Sequence, residues 1–347
     1  MEVEIRYERV DINCKNMTIN YINKEIERRT RGLTNVILTI KNYKYKDFSE
    51  FTFPDFDSKA GSIKIFYCSN NQITSFAGLT LPDSLIKFDC SWNQITSFAG
   101  LRLPSSLTTF YCNRNRITSF AGLKLPSSLK SFYCFNNQIT SFAGLRLPSS
   151  LTTFYCLENQ ITSFTGLMLP DSLIEFNCSG NQITSFAGLT LPESLEIFDC
   201  SYNKITSFAG LRLPDSLLKF SCSYNQITSF AGLKLAASLI EFDCYNNQIT
   251  SFAEFTLPDS LTEFYCSRNR ITEILDFEFP SNLNDFKIDQ NVEFINNKFN
   301  SVLQLLLSNS VRNNYRSYTR EQLIFSYLNF KLTYQQYESL IKLIKKS

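Results

Sequence analysis

Eleven cysteines and not one histidine set the first limits on what chemistry this 347-residue chain can perform. Ten of the cysteines stand at 68, 90, 112, 134, 156, 178, 200, 222, 244 and 266, a step of 22 residues each time. Thiols in such a row could pair as disulfides between neighbouring strands or hold a soft metal. Small buried thiols also pack as plain hydrophobes. The second reading is the one expected here, because no C-x-x-C pair occurs and Ile288 takes the cysteine's place in the last copy. Cys14 alone lies outside the row, and one thiol without a histidine is a poor nucleophile candidate. The missing imidazole removes Ser-His and Cys-His pairs and every His zinc ligand. Carboxylate chemistry survives that exclusion, and Glu241 and Asp243 could face Glu263 on the sheet. A glycosidase pair needs a cleft and a defined separation, so these are read as solvated charge. No catalytic residue, metal or cofactor is predicted, and the chain is read as not an enzyme.

Residues suited to recognition are more plentiful. Just before the cysteine place come Tyr67, Asp89, Tyr111, Tyr133, Tyr155, Asn177, Asp199, Ser221, Asp243, Tyr265 and Lys287. Two after it come Asn70, Trp92, Arg114, Asn136, Glu158, Gly180, Tyr202, Tyr224, Asn246 and Arg268, with Phe135, Leu157 and Tyr245 between the rows. These positions vary while their surroundings repeat, so partner binding is assigned to them. The first zone gathers Trp92, Tyr111, Tyr133, Phe135, Tyr155 and Leu157 with Arg114 nearby, the aromatic-plus-arginine composition of interface hot spots. The second gathers Glu175, Asp199, Glu241, Asp243, Glu263 and Asp285 against Lys219 and Arg268. A protein partner with an apolar anchor and a basic segment fits both. The plainer account is that cross-strand tyrosines cover a sheet and the acids keep it soluble.

The elements that must carry these residues follow from one unit, LIKFDCSWNQITSFAGLRLPSS, at Leu85–Ser106. Residues 87 to 91 alternate polar and apolar with period two, as in a half-buried strand. Stacked copies would pair these strands in parallel, about 4.8 Å apart. Asn93 ends the strand where a side-chain amide can satisfy the turning backbone. Gly100 suits a tight or positive-φ turn and Pro104 a rigid return limb. Phenylalanines fill two columns, Phe66 to Phe286 and Phe76 to Phe252, with the small cysteines leaving room for the rings.

The unit L-x-x-F-x-C-x-x-N-x-I-x-x-F-x-G-L-x-L-P resembles the leucine-rich-repeat pattern L-x-x-L-x-L-x-x-N-x-L, from about Leu33 to Asn291. The recurring ITSFAGL is also similar to repeat proteins encoded by giant DNA viruses of amoebae. The resemblance implies an α/β-type solenoid, a right-handed β-α superhelix with a curved parallel sheet whose concave face binds. With about a dozen residues for each outer limb, short 3₁₀ or extended segments are expected on the convex side. Residues 1–32 are read as an N-terminal cap, with a strand over 2–8, a helix over 18–30 and Gly32 as its C-cap. Residues 33–291 are the repeat array, with a looped insertion near Asp55–Gly61. Residues 292–347 are read as a helical C-terminal cap, from capping boxes at Thr319/Gln322 and Thr333/Gln336 and a further segment over Val302–Leu307.

The function expected is a non-enzymatic protein-interaction module. The alternatives are an adaptor that recruits a host ubiquitin ligase and a structural virion component. Bacterial ubiquitin-ligase effectors have similar repeats, but attached to a large catalytic domain with a reactive cysteine, and residues 292–347 contain none. A net charge of +2 gives no reason to expect nucleic acid. The row Arg102, Lys124, Arg146, Arg212 and Lys234 is read as a solvated edge. Neither a signal sequence nor an 18-residue apolar run is evident, so no membrane and a cytoplasmic location are expected, that of the host if the source is viral.

Overall fold

Each repeat makes a strand of only three residues, with phenylalanine at its centre and cysteine just after it. A computed structural model describes residues 6–54, 62–253, 255–289, 292–295 and 298–299. The chain divides into two compact units, Met1–Gln182 with Gly188–Pro192, and Ile183–Ala187 with Glu193–Ser347. In the first unit the strands are β1 (Glu8–Asn13), β2 (Val36–Lys41), β3 (Ile63–Tyr67), β4 (Lys87–Asp89), β5 (Thr109–Tyr111), β6 (Ser131–Tyr133), β7 (Thr153–Tyr155) and β8 (Glu175–Asn177). They pair in parallel and in chain order, with phenylalanine opposite phenylalanine from Phe66↔Phe88 to Phe154↔Phe176. In the second unit β9 (Ile197–Asp199), β10 (Lys219–Ser221), β11 (Glu241–Asp243) and β12 (Glu263–Tyr265) pair the same way. Three further strands are β13 (Glu273–Leu275), β14 (Glu278–Phe279) and β15 (Asp285–Lys287), and β15 follows β12 in the ladder. The result is a parallel-sheet solenoid with turns of 22 residues.

The core follows the two phenylalanine columns. Phe66 and Phe88 stack at 5.7 Å and 3°, and Phe88 and Phe110 at 5.6 Å and 7°. In the second column Phe76 and Phe98 stack at 5.9 Å. The columns meet edge to face, as between Phe76 and Phe88 at 5.4 Å and 66°. Offset stacks and T-shaped contacts are the arrangements an aromatic quadrupole favours, worth about 0.5–1.5 kcal/mol per pair beyond area burial. All eleven cysteines are buried thiols. Burial pushes the thiols of the row up, well above the usual range at Cys90, Cys134 and Cys244, so they serve as packing rather than as nucleophiles.

The N-terminal helix α1 (Ile19–Thr30) buries Ile19, Ile22 and Ile26 and is capped by Thr18, whose hydroxyl accepts from Tyr21 N. Gly32 takes φ +78° just past its end. A strand runs over Glu8–Asn13, where Val10 and Ile12 supply the buried alternation, and most of the strand expected over 2–8 lies outside the described residues. Cys14 N donates to Lys41 O as Cys90 N does to Tyr111 O. The segment thus pairs in the same ladder as the repeats, and α1 lies between β1 and β2.

This is the helix among the described residues, so a β-α alternation does not continue through the repeats. Of the 3₁₀ or extended segments expected on the outer limb, no 3₁₀ helix forms among the described residues, and the limb carries isolated turns: Leu101 N donates to Phe98 O, and Leu107 N to Pro104 O. Gly100 at φ +81° and Pro104 break the limb before helical bonds can propagate. Neighbouring limbs are tied by serine, as where Ser106 Oγ donates to Leu85 O at 2.6 Å. Beyond the repeats, β16 (Glu293–Ile295) pairs with β13 and β17 (Lys298–Phe299) with β14. The described part of 292–347 is therefore extended. The helices expected further on, and the insertion near 55–61, lie outside the described residues. Among the described residues no helix is long and apolar enough to cross a membrane.

Candidate functional site

The three-residue strands put Phe88 in the core and leave Lys87 and Asp89 half-buried on the opposite face. The same alternation holds in every strand from β4 to β12, so the variable residues share the open face of the sheet in each unit.

Two devices hold that face at its exit edge. Asn93 Nδ2 donates to Cys68 O, Cys90 O and Ser91 O, while its Oδ1 accepts from Ile73 N at 3.0 Å. The amide thus ties its own turn to the one before it, and the pattern recurs at Asn115, Asn137, Asn159 and Asn225. The residue before each asparagine takes a left-handed conformation: Trp92 at φ +53°, Arg114 at +55°, Glu158 at +52° and Tyr202 at +52°. Left-handed backbone costs a non-glycine residue roughly 1–2 kcal/mol. Sequence reasoning found the glycine turn of each copy but missed this second one, since only Gly180 marks it with a glycine.

In the first unit the aromatic residues form two rows. Tyr111 stacks on Tyr133 at 4.4 Å and 4°, and Tyr133 meets Tyr155 edge to face at 5.3 Å. The Lys87 ammonium stands over Tyr111 at 4.8 Å and Tyr67 at 5.6 Å. The Tyr155 hydroxyl donates to Glu175. In the second row the Arg114 guanidinium lies 4.0 Å over Trp92, which is 53% exposed. Phe135 and Leu157 are half-buried between the rows. Burial pushes the Tyr111 hydroxyl up to about 12, helped by Tyr133 and by Asp89. Asn113 lies between the rows beside Arg114. It is 6% exposed, and its Oδ1 is buried without a hydrogen-bond partner. An unpaired buried acceptor costs about 1–3 kcal/mol.

In the second unit Tyr202 and Tyr224 stack at 4.0 Å, Tyr224 tilts against Tyr245 at 5.3 Å, and Arg268 lies over Tyr245. The Tyr265 hydroxyl donates to Glu263 and Asp285, and burial with these two carboxylates pushes it up strongly. Lys287 stands over the Tyr265 ring at 4.5 Å, and Lys219 pairs with Glu241 at 2.7 Å. Asp199 and Asp243 are in part structural. Asp199 Oδ1 accepts from Ser201 N and Oγ, and Asp243 Oδ1 accepts from Tyr245 N. Burial holds the Asp243 carboxyl above the usual range despite that bond.

Of the residues singled out from sequence, Tyr67, Trp92, Tyr111, Arg114, Tyr133, Phe135 and Tyr155 share one open face. Asp199, Tyr202, Tyr224, Asp243, Tyr245 and Tyr265 share the face of the other unit. Sequence reasoning did not single out Lys87 or Asn113. Period two alone puts Lys87 beside Asp89, but nothing in the repeat marks Asn113 as unpaired. Among the described residues no group of three or more His, Cys, Asp or Glu is placed to hold a metal ion.

No family model and no curated protein matches the chain. Solved structures do match. YopM from Yersinia enterocolitica is 24% identical over 80% of this chain, with a TM-score of 0.53, and this chain spans only 63% of it. The APL1 leucine-rich repeat domain is 16% identical, with 90% of each chain covered and a TM-score of 0.53. The functional domain of InlJ from Listeria monocytogenes, described as including a cysteine ladder, is 20% identical over 88% of this chain and 71% of its own, with a TM-score of 0.50. At these identities the likeness establishes the fold, that of a leucine-rich-repeat solenoid.

Proposed function

We propose that this leucine-rich-repeat solenoid is a non-enzymatic protein-interaction module that binds a protein partner on the open face of its sheet. The observation that carries the reading is the division of its aromatic residues. The phenylalanine columns fill the core, while Tyr111, Tyr133, Tyr155 and Trp92 stay on the open face. A contiguous accessible aromatic patch marks an interaction site more often than mere cover. In the first unit this patch suits an apolar anchor. In the second, Glu241, Asp243, Glu263 and Asp285 exceed Lys219, Arg268 and Lys287, which suits a basic segment. Such complementarity acts chiefly on association rate and specificity. In this reading the module works in a reducing host cytoplasm, which the buried thiols and the likeness of ITSFAGL to giant-virus repeats support.

A photo-crosslinking residue at position 133, compared with one at Lys124 on the outer limb, tests the face. Crosslinks to one protein species from 133 and none from 124 are expected. Crosslinks from 124 with none from 133 would place binding elsewhere.

A further inference from the structure

Three features of the first unit's open face converge on one kind of ligand group. The buried Asn113 Oδ1 has no donor in the protein, so whatever completes it must bring an N–H or O–H. On the same face the Lys87 ammonium sits over Tyr111 and the Arg114 guanidinium over Trp92. The two cations outnumber the Asp89 carboxylate, whose Oδ1 already accepts from Ser91 N and Oγ, and this disfavours an incoming lysine or arginine as the donor. The surroundings, Tyr133 and Phe135, call for a large apolar body rather than a small hydroxyl side chain. The tyrosine rings stack on one another across turns, so their faces are already occupied and their edges and hydroxyls meet the partner.

We propose that the first unit's open face receives one tryptophan or tyrosine side chain of a partner protein, whose neutral N–H or O–H donates to Asn113 Oδ1. The inference rests on the reading of that face as a protein-binding surface. The Asn113 oxygen lies beneath its neighbours, and the exposed Arg114 is the side chain that yields. Its stack on Trp92 is a weak contact at an exposed site. The anchor then replaces the guanidinium against the indole and reaches the amide oxygen. Tryptophan and tyrosine are also the residues that dominate hot spots, because each couples a large apolar area to one polar handle.

The repeat itself supplies the test variant. Leu157 occupies the place of Asn113 two copies later, so Asn113→Leu installs a side chain this turn already tolerates. A random library of twelve-residue displayed peptides is selected on the wild-type chain and counter-selected on a Tyr111→Ala, Tyr133→Ala, Tyr155→Ala variant. Enriched peptides are expected to share a tryptophan or tyrosine, to bind Asn113→Leu at least tenfold more weakly, and to lose as much on the wild type when their tryptophan is 1-methylated. On Asn113→Leu the methylation should have no effect, and that variant should melt no lower than the wild type. Peptides that lack an aromatic donor, or that bind Asn113→Leu equally well, overturn this inference and leave the binding face standing. No peptide that distinguishes the wild type from the triple variant sinks the binding face itself, and this inference with it. A lower melting temperature for Asn113→Leu with unchanged binding would mean that the oxygen is satisfied by an enclosed water, and also overturns it.

Discussion

At the scale of the residue, each asparagine of the ladder satisfies several buried backbone groups with one side chain. Asn137 accepts from Ile117 N and donates to Cys112 O and Cys134 O, all buried. Replacing it with leucine orphans those groups together. Asn137→Leu should lower the unfolding free energy by about 3 kcal/mol in urea titrations. A change under about 1 kcal/mol would show that the backbone finds other partners. Glycine matters at two contrasting places. Gly122 at φ +80° has open space where a Cβ would stand, so alanine there bears only the left-handed penalty of about 1–2 kcal/mol. At Gly78 the added Cβ would also meet Ser49 Cα at 3.0 Å, so Gly78→Ala should cost more than Gly122→Ala. Tyr111 makes a pH prediction. Its folded hydroxyl titrates near 12 against an ordinary 10, so the folded state keeps its proton longer than the unfolded chain. Its contribution is present below pH 10 and is lost as the pH rises toward 12. Tyr111→Phe should flatten the alkaline fall in melting temperature over that window.

At the scale of the element, each turn is a three-residue strand held by its neighbours on both sides, too short to persist alone. Its packing depends on alternation of large and small, phenylalanine beside cysteine. Cys134 is 0% exposed, between Cys112 and Cys156 in the row. Cys134→Leu should therefore overpack and destabilise by about 1–3 kcal/mol. The thiol chemistry is checked independently. Iodoacetamide at pH 8 should leave the row unmodified in the folded protein and alkylate it in denaturant, as read by intact mass. Rapid labelling of Cys134 in native buffer would contradict its burial. The same reasoning explains the outer limb. A dozen residues with a glycine and a proline cannot nucleate a helix, so isolated turns and inter-turn serine bonds take its place.

At the scale of the whole molecule, a solenoid's stability is a sum over turns and their nearest-neighbour contacts. Removing residues 107–128 takes out one full period and joins Ser106 to Leu129, keeping every phenylalanine and asparagine in register. That deletion should leave the far-UV circular dichroism shape unchanged and reduce the urea m-value in proportion to the lost area. Removing 107–117, half a period, should abolish cooperative unfolding. Equal behaviour of the two deletions would mean that the turns are not interchangeable units. Partner binding belongs to this scale as well, because neither face is made by a single turn. Each is a column of side chains from consecutive strands.

Much of this was legible before any coordinates. The 22-residue period, the inward phenylalanine and cysteine, the asparagine at the strand's end and the outward tyrosines all follow from local pattern repeated often enough to leave one register. The extent of β1 as far as Asn13 was missed because only Val10 and Ile12 mark its buried side. Tertiary structure alone decided what adjacent turns do to one another. It stacked Tyr111 on Tyr133 while turning Tyr155 edgewise, committed an oxygen of Asp199 to its own loop, bent Trp92 and Arg114 into left-handed backbone and left the Asn113 oxygen without a donor. Periodicity specifies which face a side chain occupies. The partners it finds there depend on rotamers and distances across strands about 4.8 Å apart, which no single copy of the repeat encodes.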